Sequence, residues 1–483
     1  MMSRFDPSGL SRVDIQPLSA SARWLVLIVF LALAGYLLLL GDLLLQDPDT
    51  WWHITVGGRI WHGGMPVVDE YSHTFAGQPW IAKEWLGQVL LFLAHDLAGW
   101  RGIVLLTATA WSASFALLLV FLLRRLKGTI ALALMLLTIL PLSGQIVARP
   151  SMFFPLLLIL WFGSLVGAVE RGRPPPWSLV PLMAIWANLH ASFPVAFALA
   201  GLVGLEAIAT ARQADRLRVA VRWGVFGIAA LAATGATPYG FGALRVAVEF
   251  ASFNEGLPYI SEWQPPRLDA VGLTSAALAL AALLVVAPPG GQFPRMPPVL
   301  VAAWMAAKHA RFTGLLVIVS VLAIAGPLAR RLPALAARPQ SSPPARAIPF
   351  LAAALASVVI VLAVLIRPAP SADTTPDVAL NAALAAGVRG RVFNEYDFGG
   401  YLIFRGIPTF TDGRNDQIYR GGFTVAYFEA QRAADEAPMR AIVDRYNVDW
   451  AIVRTGSMAA TQFERLGWTL LHADDVATVF LRP

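Results

Sequence analysis

The chain contains no cysteine. That removes a disulfide framework, a thiolate metal site and a cysteine nucleophile. Charge is scarce too: 14% of residues are Asp, Glu, Lys or Arg, against ~25% in soluble domains. The sequence is 57% hydrophobic, much of it in long runs, which excludes one large soluble core and indicates a polytopic membrane protein. The signatures of common soluble enzymes are also missing. There is no nucleotide-binding P-loop, no Gly-x-Ser-x-Gly, no His-Glu-x-x-His and no Gly-x-Gly-x-x-Gly after a strand. A nucleotide-driven pump is thereby disfavoured. The net charge of +7 does not indicate a nucleic-acid partner, because the basic residues sit in short clusters between apolar runs, as membrane topology requires.

What is present is a series of runs long enough to span ~30 Å of hydrocarbon at 1.5 Å per residue. Single spans are expected at about 23–45, 102–123, 129–147, 152–169, 223–237, 270–287 and 348–366. Two further runs, 177–211 and 297–329, are too long for one span and carry polar residues mid-run: Asn188, His190 and Ser192 with Pro194 in the first, Lys308, His309 and Arg311 in the second. Each is read as two short spans meeting at one face. Eleven spans result. The positive-inside rule supports them, since Arg4 and Arg12, Arg124 to Lys127, Arg171 and Arg173, Arg212 to Arg218, Arg295, and Arg330 to Arg346 all fall inside. The expected organisation is a cytoplasmic tail, 1–22, then a transmembrane domain, 23–367, then a linker and extracytoplasmic domain, 368–483.

The stretch 46–100 is an outer loop between spans, dense in acids, histidines and tryptophans. Residues 50–62 and 82–98 are expected to form interfacial helices within it. Asp47 and Asp49 lie where the first span emerges. A carboxylate there suits a general base or a group that steadies developing positive charge at a sugar carbon. Equally, Asp-Pro-Asp is a good helix start. His53 and Glu84 suit a base or a metal ligand, or ordinary loop hydrogen bonds. Trp51, Trp52, Trp61, Trp80 and Trp85 read as sugar-stacking rings or, more simply, as an interfacial belt. Arg149, Asn188, His190, Glu262, Lys308, His309 and Arg311 all reach the same outer side. The cations among them suit a lipid phosphate, which arginine holds bidentately, or internal ion pairs with Glu255, Glu262 or Asp49.

Residues 375–483 read as a small α/β domain. Strands are expected at Arg391–Asn394, Pro408–Thr411, Asp449–Arg454 and Val476–Leu481, with one helix from Thr424 to Tyr446. The Asn394–Tyr401 and Asp412–Arg414 segments set polar residues beside glycines, as turns do or as a surface closing over the membrane site does.

Asp47-Pro-Asp49-Thr-Trp-Trp-His53, Pro79-Trp80 to Leu86, Arg149-Pro150, Asn188-Leu-His190, Phe393 to Tyr401 and Asp412-Gly-Arg414 together resemble a bacterial family of multi-span membrane proteins similar to the GT-C glycosyltransferase superfamily. The resemblance covers nearly the whole chain. It implies an inverting transferase of the bacterial inner membrane that uses a polyprenyl-phosphate-linked sugar and a glycan, lipid or protein acceptor on the outer face. It makes Asp49 or Asp47 the base and Arg149, Lys308 and Arg311 the holders of the donor phosphate. His53, Glu84, Asn188, His190, Glu262 and His309 complete the expected substrate-binding set. No metal ligands are marked out; the superfamily includes enzymes that need a divalent metal and enzymes that do not. The competing class is a non-catalytic transporter or scaffold of an envelope-polysaccharide system with a glycan- or partner-binding outer domain. A transporter would show pseudo-symmetric halves, which this sequence lacks.

Overall fold

The computed structural model describes residues 15–252, 257–287, 295–338 and 346–483. Arg4 and Arg12 of the tail, Glu255, and the stretch 339–345 lie outside them. Fourteen helices precede the C-terminal region among the described residues: α1 (Ala20–Leu39), α2 (Gly41–Leu44), α3 (Asp49–Gly63), α4 (Trp85–Leu123), α5 (Gly128–Leu142), α6 (Phe154–Glu170), α7 (Leu179–Leu189), α8 (Phe193–Thr210), α9 (Arg216–Ala233), α10 (Gly242–Ser252), α11 (Ala270–Val286), α12 (Met296–Lys308), α13 (Thr313–Arg331) and α14 (Ala347–Leu365).

Seven of these, extended in places by a 3-10 turn, are long and apolar enough to cross a membrane: α1, α4, α5, α6, α8, α13 and α14. The chain is a multi-pass membrane protein. Helices α7 and α11 are apolar but shorter, α9 opens on Arg216, Arg218 and Arg222, and α12 has 13 residues. These four occupy the remaining expected positions. Both overlong runs are broken where polar residues interrupt them. Helix α7 ends at His190, whose backbone is extended, and α8 begins with Pro194 in its first turn. Helix α12 ends at His309, also extended. Proline supplies no N–H to bond back into a preceding turn, so a new helix starts there at little cost.

Helix α13 is the central post, with 89% of its apolar window buried, whereas α14 has 6% buried and rests on α1 at the edge. Helix α4 is two helices in one. At Ala98–Gly99 the backbone leaves the helical region, Gly99 taking φ +59°, which glycine alone adopts at no steric cost. The kink separates an arm that packs on α3 from the span proper.

The C-terminal region contains α15 (Asp377–Ala385), β1 (Val392–Asn394), α16 (Gly399–Phe404), α17 (Phe423–Arg432), α18 (Ala437–Arg445), β2 (Trp450–Arg454), α19 (Met458–Arg465), β3 (Thr469–Ala473) and β4 (Ala477–Leu481). Its sheet runs β1-β2-β4-β3. Strands β1 and β2 are parallel, and the β2/β4 and β4/β3 pairs are antiparallel.

Three expectations for this region fail. Pro408–Thr411 forms no strand of the sheet, because its backbone is engaged elsewhere: Thr409 N donates to Tyr71 O (3.0 Å), His73 N donates to Thr409 O (3.0 Å), and Phe410 N donates to the Asn394 side chain (2.8 Å). The single helix 424–446 is two, since Pro438 in the first turn of α18 cannot continue a helix. Strand β3 was not anticipated; it is a largely exposed edge strand, so no apolar run marks it, although the Asp474-Asp475 turn before β4 does.

A candidate active site at one end of the helix bundle

Asp47 lies between α2 and α3 and Asp49 opens α3, and the sequence does two different things with them. The Asp47 carboxylate accepts from the Asp49 backbone N–H (2.9 Å), turning the chain into the first turn of α3. Its partner carboxylate, Asp49, accepts from the Trp52 indole N–H (2.9 Å). Thr50 anchors the same turn by donating to Ala148 O (2.7 Å). That contact brings up the α5–α6 connection and with it Arg149.

Arg149 lies against both aspartates, 3.2 Å from Asp47 and 3.5 Å from Asp49, and 3.6 Å from Glu262. Glu262, on the α10–α11 connection, is shared with Arg311 (3.1 Å). The Arg311 guanidinium lies over the Trp263 ring, 4.1 Å from its centroid. Four separated segments therefore meet in one half-buried cluster of three carboxylates and two arginines.

A second group adjoins it. Glu84, at the start of α4, lies 3.5 Å from His190 Nε2 and accepts from the Ala191 N–H (3.1 Å). Buried His53 meets the Gln88 amide through Nδ1 (3.2 Å). Asn188 accepts from the Trp85 indole (2.5 Å) and donates to Ala184 O and Ala236 O (2.7 and 3.0 Å), so its amide ties α4, α7 and the α9 end together.

His309 points instead at the Trp263 carbonyl (Nδ1 to O 2.6 Å). Lys308 is exposed at the end of α12 and makes no ion pair among the described residues. The structure thus groups nine of the eleven expected residues and sets Lys308 and His309 on the flank.

The electrostatics follow from burial and neighbours. Burial pushes the Asp49 carboxyl up to about 7, Arg149 pulling it back and the Asp47 charge adding to the rise. Burial lowers the His53 imidazole to about 3 and that of His190 to about 4. Both rings are therefore neutral at pH 7. Burial opposes the ionised form of Glu84, but His190 and Lys83 outweigh it and hold the group down to about 2. With His190 neutral at pH 7, Lys83 and the Ala191 N–H carry that balance. Lys83 itself is lowered to about 8 by burial and is ion-paired with Asp416.

The C-terminal region forms the roof. A side-chain Cβ at Gly413 would collide with the Asp49 carboxylate, and one at Gly400 with the Pro48 carbonyl; only glycine permits this approach. The roof is fastened by a buried network. Arg414 reaches Asp69 (2.6 Å) and grips Asp412 through two nitrogens (2.8 and 2.7 Å), and Asp412 also accepts from Tyr419 (2.6 Å). The Asp412-Gly-Arg414 segment is thus both a staple and a closing surface.

Three of the tryptophans are not a belt. Trp51, Trp52 and Trp80 are buried. Trp51 packs on Trp100, Tyr401 and Phe404 at 4.5, 4.9 and 4.7 Å between ring centroids, because α16 covers α3. Helix α3 is correspondingly sandwiched beneath this roof rather than lying open at an interface. Trp61 is exposed. The residues that sequence reasoning passed over are Trp52 as a partner of Asp49, Lys83, and the two roof glycines. The Gly-Gly and Asp-Gly-Arg signals were visible, but their target 350 residues away was not.

Among the described residues no three His, Asp or Glu side chains group as metal ligands. Arg149 lies against the aspartate pair.

No family model matches the chain, and no curated protein matches it. Among solved structures it is similar to the archaeal oligosaccharyltransferase AglB from Archaeoglobus fulgidus, in complex with an inhibitory peptide and a dolichol-phosphate. The TM-score is 0.52 at 12% identity, covering 89% of this chain and 69% of that one. It is also similar to ArnT from Cupriavidus metallidurans in the apo state, at TM-score 0.48 and 12% identity, covering 96% of this chain and 98% of that one. At 12% identity the likeness to AglB is one of fold alone.

Proposed function

We propose that the protein is a membrane glycosyltransferase that moves a sugar from a polyprenyl-phosphate-linked donor to an acceptor hydroxyl at the extracytoplasmic face. The observation that carries this reading is the cluster itself. A protonatable aspartate and two arginines are gathered from distant segments at one end of the bundle, half-buried beneath a roof. The α/β unit and this end of the bundle are assigned to the extracytoplasmic side because the dense basic clusters lie at the other end.

Asp49 takes the proton of the acceptor hydroxyl. The oxygen attacks the anomeric carbon from the face opposite the phosphate, the C1–O bond breaks, and polyprenyl phosphate leaves with inversion. A base whose pKa lies near 7 suits this step at neutral pH. Asp47 orients the turn that presents Asp49. Arg149 and Arg311 neutralise the departing phosphate, and Lys308, exposed and without an ion pair among the described residues, meets the donor at the rim. Neutral His53 and the Glu84–His190 pair hold the surrounding loops in place.

The test is sugar release from a polyprenyl-phosphate donor by the full-length protein, comparing wild type with Asp49→Asn and Asp47→Asn. Loss with Asp49→Asn and partial retention with Asp47→Asn is the expected result. Equal turnover in all three would remove the base assignment.

A further inference from the structure

A cavity of about 1000 Å³ opens away from the aspartates, between the loop Val67–Ile81, helix α10, and the C-terminal segment 417–423 with the end of α18. Its size is at the top of the range for ligand pockets, ~300–1,000 Å³. Phe75 and Tyr446 contribute aromatic surface to its lining, and Arg245, Arg420 and Arg445 contribute charge. The arginines are not balanced. Arg245 and Arg420 share one carboxylate, Glu249, at 3.7 and 3.2 Å, and Arg445 has no ion pair among the described residues. The cleft therefore keeps an excess of positive charge. Trp80 is buried, and its indole N–H has no hydrogen-bond partner among the described residues.

The cleft also shares a wall with the site. Trp80, Ile81 and Gln417 form part of its lining and also part of a small adjoining hollow, whose other walls include Trp52, Lys83 and Glu84. Trp52 donates its indole N–H to Asp49. The wall of the cleft is thus one side chain removed from the proposed base.

We propose that this cleft holds the acceptor, and that the acceptor is a glycan bearing carboxylate or phosphate groups. This rests on the transfer reading above. Aromatic faces stack on sugar rings, and arginine forks pair bidentately with carboxylate or phosphate oxygens. The cleft, with arginines at its rim and Trp80 in its wall, suits a polar chain held beside the roofed site.

The experiment is calorimetric binding to the full-length protein in lipid nanodiscs. The probes are oligogalacturonate, a phosphorylated pentamannose, neutral maltopentaose and penta-glutamate. At least one anionic glycan should bind about tenfold more tightly than maltopentaose, the margin of one charge-assisted bidentate contact. Whichever anionic glycan binds identifies the group recognised. The Arg445→Gln variant, with an unchanged unfolding midpoint, should lose about tenfold of that affinity.

The proposal is overturned if neither anionic glycan exceeds maltopentaose, if penta-glutamate binds as tightly as the glycans, or if Arg445→Gln binds like wild type. Sugar release from the donor into water is measured on the same wild-type preparation. A protein that releases sugar but binds no anionic glycan sinks the cleft alone. A protein that binds the glycan but never releases sugar leaves the cleft standing and sinks the transfer reading.

Discussion

The molecule carries two charged clusters at opposite ends of its helix bundle, and they are built differently. At the end away from the C-terminal unit, Arg125 meets Glu170 at 2.5 Å, and Arg295 meets Glu170 at 2.7 Å and Glu206 at 3.0 Å. These side chains are no more than 5% exposed. They tie together the end of α4 with α6, α8 and the start of α12. At the other end, Arg149, Asp47, Asp49, Glu262 and Arg311 stand 3.1 to 3.6 Å apart, with side chains 10 to 36% exposed. A fully buried network of short contacts has no room for a ligand and is strongly destabilising to break. A looser, wetter one can exchange partners. The first reads as a fastening and the second as a site.

This contrast can be broken by mutation. Asp49→Asn should lower sugar release by about 10²–10⁴-fold, the usual contribution of a general base, with the unfolding midpoint nearly unmoved. Glu170→Gln at the opposite end should do the reverse. It leaves Arg125 buried with a neutral partner and Arg295 with Glu206 alone, costing about 3–5 kcal/mol of stability, while turnover per folded molecule stays close to wild type. If Glu170→Gln abolished turnover in correctly folded protein, the division into fastening and site would be wrong.

The pH dependence sharpens the same distinction. Asp49 must be ionised to act, so release should fall about tenfold per unit as pH drops below about 7. The stability effect of this group has the opposite sign. Its folded-state pKa lies above the ordinary 3.8, so its stabilising contribution is present at low pH and is lost as pH rises through about 7. A loss of rate on acidification that coincided with unfolding would contradict the assignment. The smallest expected change is Arg149→Lys, which keeps the charge but loses the planar fork. Donor KM should rise by roughly tenfold or less, with kcat less affected; unchanged donor KM would remove Arg149 from the phosphate site.

Much of the membrane domain was legible because its signals are local. Long apolar runs, Pro194 after a polar break, and His309 in mid-run each announce a helix boundary within a few residues. The positive clusters ordered those helices into two faces, and that ordering brought Asp47, Asp49, Arg149, Glu262 and Arg311 to one side. What stayed illegible depends on contacts between distant segments. Nothing around Trp51 or Trp52 says that α16 will cover them, so a membrane belt was the natural reading of an aromatic cluster. Pro408–Thr411 has strand-like composition, yet its hydrogen bonds are taken by the Tyr71–His73 loop. His309 looked equivalent to His190 by position but faces a backbone carbonyl instead of a carboxylate.

The roof over Asp49 has a consequence for how the molecule comes to be. The acid is made early and Gly413 about 360 residues later. At ~5–20 residues per second of synthesis, that is a wait of roughly 20 to 70 s. For that interval α3 exists without α16, with Trp51 and Trp52 lacking the covering they have at the end. Biogenesis therefore includes a period in which the aspartates are present but unroofed, and the site becomes whole only when the α/β unit folds back onto a helix laid down long before.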